Sequence, residues 1–415
     1  MRLPILALVA SCTVGLSAPA YAAPTCHGQE ATVVGSPSTG ATGTDGDDVI
    51  VSGGAGLVEA GAGDDLVCVT GATREVFAGP GADTVDTTAG ASSVETDLGI
   101  GVDVFLGGPG WDLVDAGGGE DTAESITTGD GNDRVTTGRR GRPMNDMVDL
   151  GPGRDVILLR GLPGTGRVAG GRQHDLVVMS DRTGGGWSVD SRAGTISVGG
   201  ASMPVTDIEA FDLAALRFDT LSFRGGPADE ELSLGQGPRA GPGEARVDMG
   251  GGDDSLTIDS SLTGPYDGGP GSDTFVLTGY GGRWVAEQRA VIDLRSGLAS
   301  VGGGAQAELV SFTNAGLDFF DRNLVRGSAD PSTIRVRGCH ATVYGGGGDD
   351  LVVFQASDGC VGPPAQRSIR AYGEGGADEL RGSSGDDVLV GGPGADVAKG
   401  ARGRDRCSAE TRTSC

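Results

Sequence analysis

Near its C-terminus the chain places an inward-type residue every nine positions. Leu380, Leu389 and Ala398 each stand two residues after an aspartate, and each aspartate ends a run of glycines and small residues. The units read GEGGADELR, GSSGDDVLV, GGPGADVAK and GARGRDRCS, with Asp378, Asp387, Asp396 and Asp405 at the sixth place. A helix would repeat its apolar face every 3.6 residues, so a period of nine predicts stacked tight turns and short strands. The same alternation begins at Gly43: GTDGDDVIV carries Asp48, AGAGDDLVC carries Asp65 and AGPGADTVD carries Asp83. Between the last two lies VTGATREVF, which keeps Val76 but has Arg74 where the acid belongs, predicting a strand without a ligand. A second run gives Asp103, Asp112 and Asp121, then Asp133 with the frame shifted by three, then Asp155 in LGPGRDVIL. Asp146 matches the unit poorly and is left outside the set, and Thr137–Arg142, with three arginines, is expected to loop out.

The centre of the chain breaks this rhythm and duplicates itself instead. Gly170–Asp175 answers Gly268–Asp273, Trp187 answers Trp284, and Val189–Gly194 answers Ile292–Gly297. Phe211 answers Phe312, and Gly250–Asp254 answers Gly346–Asp350. Each half therefore reads as a glycine–aspartate turn (Asp254, Asp273 and Asp350 among them), a longer β-rich insert and another turn. Thr195–Val198 alternates as a strand does, Thr206–Leu216 suits a short helix, and the two tryptophans are expected to pack within rungs. The reading that results is all-β: a parallel β-roll or β-solenoid of nonapeptide repeats with wider β-rich rungs in the middle. Its segments are a leader at 1–22, a linker or cap at 23–42, an N-terminal roll at 43–158, duplicated units at 170–262 and 268–357, a C-terminal roll at 373–408 and a disulfide-capped tail at 409–415.

Composition sharpens this. Glycine fills 79 of 415 positions, which without a period would argue for disorder and with one argues for a solenoid. The formal net charge of −26 weighs against nucleic acid and anionic membranes as partners. Aspartates at one place in glycine-rich turns suit a hard cation: calcium takes oxygen ligands, and glycine lets carbonyls approach. The chain resembles the hemolysin-type calcium-binding repeat (RTX) family of secreted bacterial proteins. That resemblance implies a parallel β-roll with multiple Ca2+ ions between successive turns. One turn and one short strand per unit already put alternate units on the same side, 18 residues apart, so that Asp378 pairs with Asp396 and Asp387 with Asp405.

Arg2, the apolar run Leu3–Leu16 and Ala20-Tyr21-Ala22 read as a secretory signal cleaved after Ala22. Six cysteines then remain, an even number that favours three disulfides in an exported chain. Among fifteen pairings, proximity suggests Cys26–Cys68, Cys339–Cys360 and Cys407–Cys415. No H-E-x-x-H or G-x-S-x-G occurs, and His27, His174 and His340 form no metal motif. Acid pairs such as Asp47-Asp48, Asp64-Asp65 and Asp253-Asp254 could serve a glycosidase, but each falls in a turn frame. No local cluster of Lys, Arg, Tyr and His stands out to mark a polysaccharide-acting face, and no amphipathic helix suggests a pore. The expected function is a secreted calcium-binding solenoid with a structural, adhesive or surface-associated role and no enzymatic activity. The alternative is an extracellular polysaccharide lyase or epimerase on a β-helix.

Overall fold

Three-residue strands are too short to fold alone, so they must stack. A computed structural model describes residues 23–90, 93–117, 123–235, 243–259, 263–279, 285–303, 306–356, 360 and 367–415. Among these there is no helix, and the chain winds into a parallel β-solenoid of about 17 turns. Strand Val49–Val51 pairs in parallel not with its sequence neighbour Leu57–Glu59 but with Leu66–Cys68, while Leu57–Glu59 pairs with Glu75–Phe77. Each turn thus contributes one strand to each of two facing walls. The middle residue of each strand points inward. Ile50, Val67, Val85, Phe105 and Ile126 line one wall, and Val58, Val76, Val114, Val135 and Ile157 the other, all essentially inaccessible to water. Val76 keeps its place although its turn carries Arg74. The core is one side chain deep per strand, each burial worth about 1.5–3 kcal/mol.

In the middle the rungs widen. Strands Ser255–Asp259 and Asp273–Thr278 bring two side chains each into the core, Leu256 with Ile258 and Phe275 with Leu277. Aromatic contacts fill the larger interior, with ring centroids 5.5 Å apart for Phe211–Phe223 and for Phe275–Phe312. The longest strands, Phe312–Arg326 and Thr333–Gly346, each serve both walls. The first half of Phe312–Arg326 pairs with Asp273–Thr278 and the second with Val285–Asp293. The change of wall comes at Phe319, whose φ of 69° is left-handed, and there the register shifts.

The duplication has a clear structural form. Gly186–Asp190, Thr195–Val198 and Ala201–Thr206 make an antiparallel meander, and Val285–Asp293, Leu298–Val301 and Gln306–Val310 make another. After the first strand of each, a carboxylate closes the turn: Asp190 accepts from the Ala193 amide at 2.8 Å and Asp293 from the Ser296 amide at 3.2 Å. Trp187 is buried in its rung, and Trp284 lies outside the described residues. The stretch Thr206–Leu216 is not helical. Ala210–Leu213 is a strand laid parallel on Leu176–Met179, and Phe211 and Leu213 alternate inward. The neighbouring ladder overrides the local helical spacing. Arg139, Arg140 and Arg142 are exposed at the expected loop, although Thr137 itself is buried at a strand end.

Three disulfides, Cys26–Cys68, Cys339–Cys360 and Cys407–Cys415, join the pairs that sequence proximity suggests. The first anchors the terminal hairpin Thr25–Cys26/Gln29–Glu30 to the roll across 42 residues. Replacing both Cys26 and Cys68 by serine is expected to cost about 2–4 kcal/mol, through the loop entropy returned to the unfolded chain. Denaturant titration of the calcium-saturated protein checks this, and an unchanged midpoint would show that the hairpin adds nothing.

Candidate metal centres

The turn Gly391-Gly392-Pro393-Gly394-Ala395-Asp396 shows how the sequence builds a site. Gly392 has a φ of 123°, and a Cβ there would lie 2.1 Å from the Glu374 carbonyl oxygen of the preceding turn. A Cβ on Gly394 would lie 1.7 Å from the Gly376 oxygen, and one on Gly391 would lie 2.1 Å from Oδ2 of Asp396. Glycine is therefore required by close approach: the carbonyls of one turn face the backbone of the next, with the carboxylate against both. Gly269 and Gly271 repeat the arrangement over Gly250 and Gly252.

Among the described residues each sixth-place carboxylate after Asp48 uses one oxygen to receive a backbone N–H from the turn before it. On one wall Asp48 donates to Asp65 at 2.8 Å, Asp65 to Asp83 at 2.8 Å and Asp83 to Asp103 at 2.8 Å. Opposite, Asp112 donates to Asp133 at 2.7 Å, Asp133 to Asp155 at 2.6 Å and Asp155 to Asp175 at 2.8 Å. In the centre Glu230 donates to Asp254 at 2.7 Å and Asp254 to Asp273 at 2.9 Å. Toward the C-terminus Asp350 donates to Asp378 at 2.9 Å, Asp378 to Asp396 at 3.0 Å and Asp387 to Asp405 at 2.9 Å. The pairs 18 residues apart are thus brought together. Asp405 is half-buried, on the last turn.

The second carboxylate oxygen is the informative one. Among the described residues it is buried without any hydrogen-bond partner in twelve of these groups: Asp65, Asp83, Asp103, Asp133, Asp155, Asp175, Glu230, Asp254, Asp273, Asp350, Asp378 and Asp396. A buried, unpaired carboxylate oxygen costs too much to persist as a bare anion. Burial accordingly pushes Asp83, Asp175 and Asp387 up to about 6. It pushes Asp103, Asp112, Asp155, Asp254 and Asp350 up to about 7, with neighbouring carboxylates adding to the effect. Such a column must take up protons or cations. Its donors are all oxygens, carboxylate and carbonyl, which suits calcium and not a softer metal. Asp48 stands apart: hydroxyls of Thr32, the larger effect, and Thr44 hold its carboxyl below the usual range. Asp387 also has protein donors on both oxygens, the Ile369 and Ser383 amides.

A family model for the RTX calcium-binding nonapeptide repeat matches in four copies, over residues 97–123, 323–355 and 372–407. The chain carries RTX calcium-binding repeats. No curated protein matches it. The matched stretches contain Asp103, Asp112, Asp350, Asp378, Asp387, Asp396 and Asp405, and also Asp121, which lies outside the described residues.

The carboxylate ladder is longer than the spacing in the sequence suggests. Glu124 fills the slot just before strand Ser125–Thr127, receiving the Asp103 amide at 2.5 Å. The frame therefore slips between Asp112 and Glu124, and Asp133 follows at the regular nine. Asp146, set aside as a poor match to the unit, receives the Glu124 amide at 3.1 Å. Asp175 is fully buried in the opposite column, and Glu209 and Glu410 cap columns by receiving the amides of Asp175 and Asp396. The adjacent acids also acquire a role. Asp47 receives the Asp64 amide at 2.9 Å and Asp253 that of Ser272 at 2.8 Å, so the fifth place forms an outer, exposed ladder. His27 lies 2.6 Å from Asp86 beside Cys68, but that sulfur is committed to the disulfide.

Proposed function

We propose that this RTX-repeat solenoid is secreted, folds as it takes up several calcium ions, and serves a non-catalytic structural or adhesive role at a surface. The observation that carries the calcium reading is the column of buried carboxylates, twelve of them with one oxygen left for a cation. Secretion is supported by the sequence of residues 1–22 and by three disulfides, which persist in oxidising compartments. The marginal core supports calcium-dependent folding. A turn orders about 18 residues at about 1–2 kcal/mol each while burying two central side chains, and a ligand bound only by the folded state stabilises that state.

Replacing both Asp378 and Asp396 by alanine is expected to lower the number of calcium ions counted by titration calorimetry on the mature chain, and to leave the N-terminal turns loaded. An undiminished count would remove these aspartates from the ligand set.

A further inference from the structure

The second halves of the long strands carry a feature opposite in charge to the rest of the molecule. Parallel register places Arg289 beside Arg322, Arg322 beside His340, and His340 beside Ser368. Two residues along, Leu324, Thr342 and Arg370 form the next row, and two further on Arg326, Tyr344 and Tyr372 form a third. These residues, Tyr372 excepted, line an open trough of about 750 Å³. Arg289, Arg322, His340 and Arg370 are exposed. Arg326 is engaged by Asp293 at 2.9 Å, and Arg322 lies 3.9 Å from Asp321. Arg289 and Arg370 have no carboxylate partner among the described residues. Four arginines and a histidine thus share two acids, in a chain whose net charge is −26. Exposed arginines held side by side repel one another, which neither the fold nor the calcium ladders require.

We infer that this trough binds a linear carboxylated oligosaccharide, a uronate chain, lying across the strands. Neighbouring strands are about 4.8 Å apart, so a polymer running along the solenoid axis meets a fresh arginine or histidine at each step. Arginine recognises carboxylate through paired N–H donors. Thr342, Ser368 and the Tyr344 hydroxyl supply partners for sugar hydroxyls. Single-stranded nucleic acid fits less well, because it needs free aromatic faces for its bases. Here Tyr344 and Tyr372 stack on one another, with centroids 5.1 Å apart, and Arg326 covers Tyr344. A lipid surface fits less well too, since the apolar Leu324 is buried in the trough floor. This inference gives the adhesive role a ligand and rests on that reading, but it uses none of the calcium turns.

The test uses the mature, calcium-loaded chain. Calcium count and circular dichroism are recorded first, so that a failure of calcium-dependent folding is seen separately from a failure of sugar binding. A uronate hexasaccharide, too short to gel, is then titrated by calorimetry at fixed free calcium. A methyl-esterified hexasaccharide and a single-stranded oligonucleotide serve as comparators. Binding of the free uronate alone is expected, weakened about tenfold for each of Arg322→Ala and Arg370→Ala, with the calcium count unchanged. Arg335→Ala, on the other wall, is expected to leave binding intact. No binding by the loaded protein, undiminished binding by both Arg322→Ala and Arg370→Ala, or tighter binding of the oligonucleotide would each overturn the inference.

Discussion

Stripping calcium with a chelator at pH 8 is expected to abolish most of the β-sheet signal, whereas the same treatment at pH 5.5 leaves far more of it. The sign follows from the carboxyls. Folding raises Asp103, Asp112, Asp155, Asp254 and Asp350 from about 4 when unfolded to about 7. Between those values the calcium-free folded state holds more protons than the unfolded one, so its stability falls as pH rises. The contribution is fully present below about pH 4 and lost as pH climbs through 6 to 7. If only about 1 kcal/mol per group survives mutual coupling, the sum over these five and the three groups near 6 already rivals the whole stability of a domain, about 5–15 kcal/mol. Calcium replaces the protons, so the loaded protein should show little of this dependence. Melting temperatures with and without chelator across pH 5–8 measure the effect, and Asp350→Asn should blunt it. Equal melting of the stripped protein at both ends of that range would defeat the account.

The second large effect is expected from one methyl group. Gly392→Ala should destabilise the calcium-loaded C-terminal roll by about 3 kcal/mol or more. The new Cβ must tolerate a φ of 123° and sit 2.1 Å from the Glu374 oxygen, which is backbone and cannot swing aside. Gly375→Ala, in the preceding turn, is the control. It has open space around its Cα and no left-handed φ, so alanine there should be neutral or stabilising by up to about 1 kcal/mol. Denaturant midpoints of the two variants decide the matter. Similar losses would mean that local flexibility, and not the close stacking of turns, accounts for the glycines.

Much of this molecule was legible because its fold repeats a local rule. One inward residue, one sixth-place acid and a glycine turn per nine residues sufficed to foresee the roll and the pairing of Asp378 with Asp396. The rule failed where a residue's role is set by the rung beside it. Glu124 and Asp146 lack the glycine frame, and only strand register puts them in the column. Thr206–Leu216 has helical spacing, but a waiting ladder edge makes Ala210–Leu213 within it a strand. The cationic trough was invisible for the same reason. Arg322, His340 and Arg370 lie in segments of unequal length, and no fixed period brings them together. The absence of a local Arg–Tyr–His cluster in the sequence was therefore a poor guide to the surface.

The inner carboxylate ladder also has a polarity. Every rung donates its amide to the rung after it, while the outer ladder at the fifth place runs the other way. A newly added C-terminal turn therefore completes the inner site of its predecessor and leaves its own unfinished. For a chain that emerges N-terminus first, assembly can keep pace with emergence, one site closing per turn. The column that reaches Asp396 is capped by Glu410, which receives its amide, and Cys407–Cys415 braces the adjoining strand Arg406–Ser408.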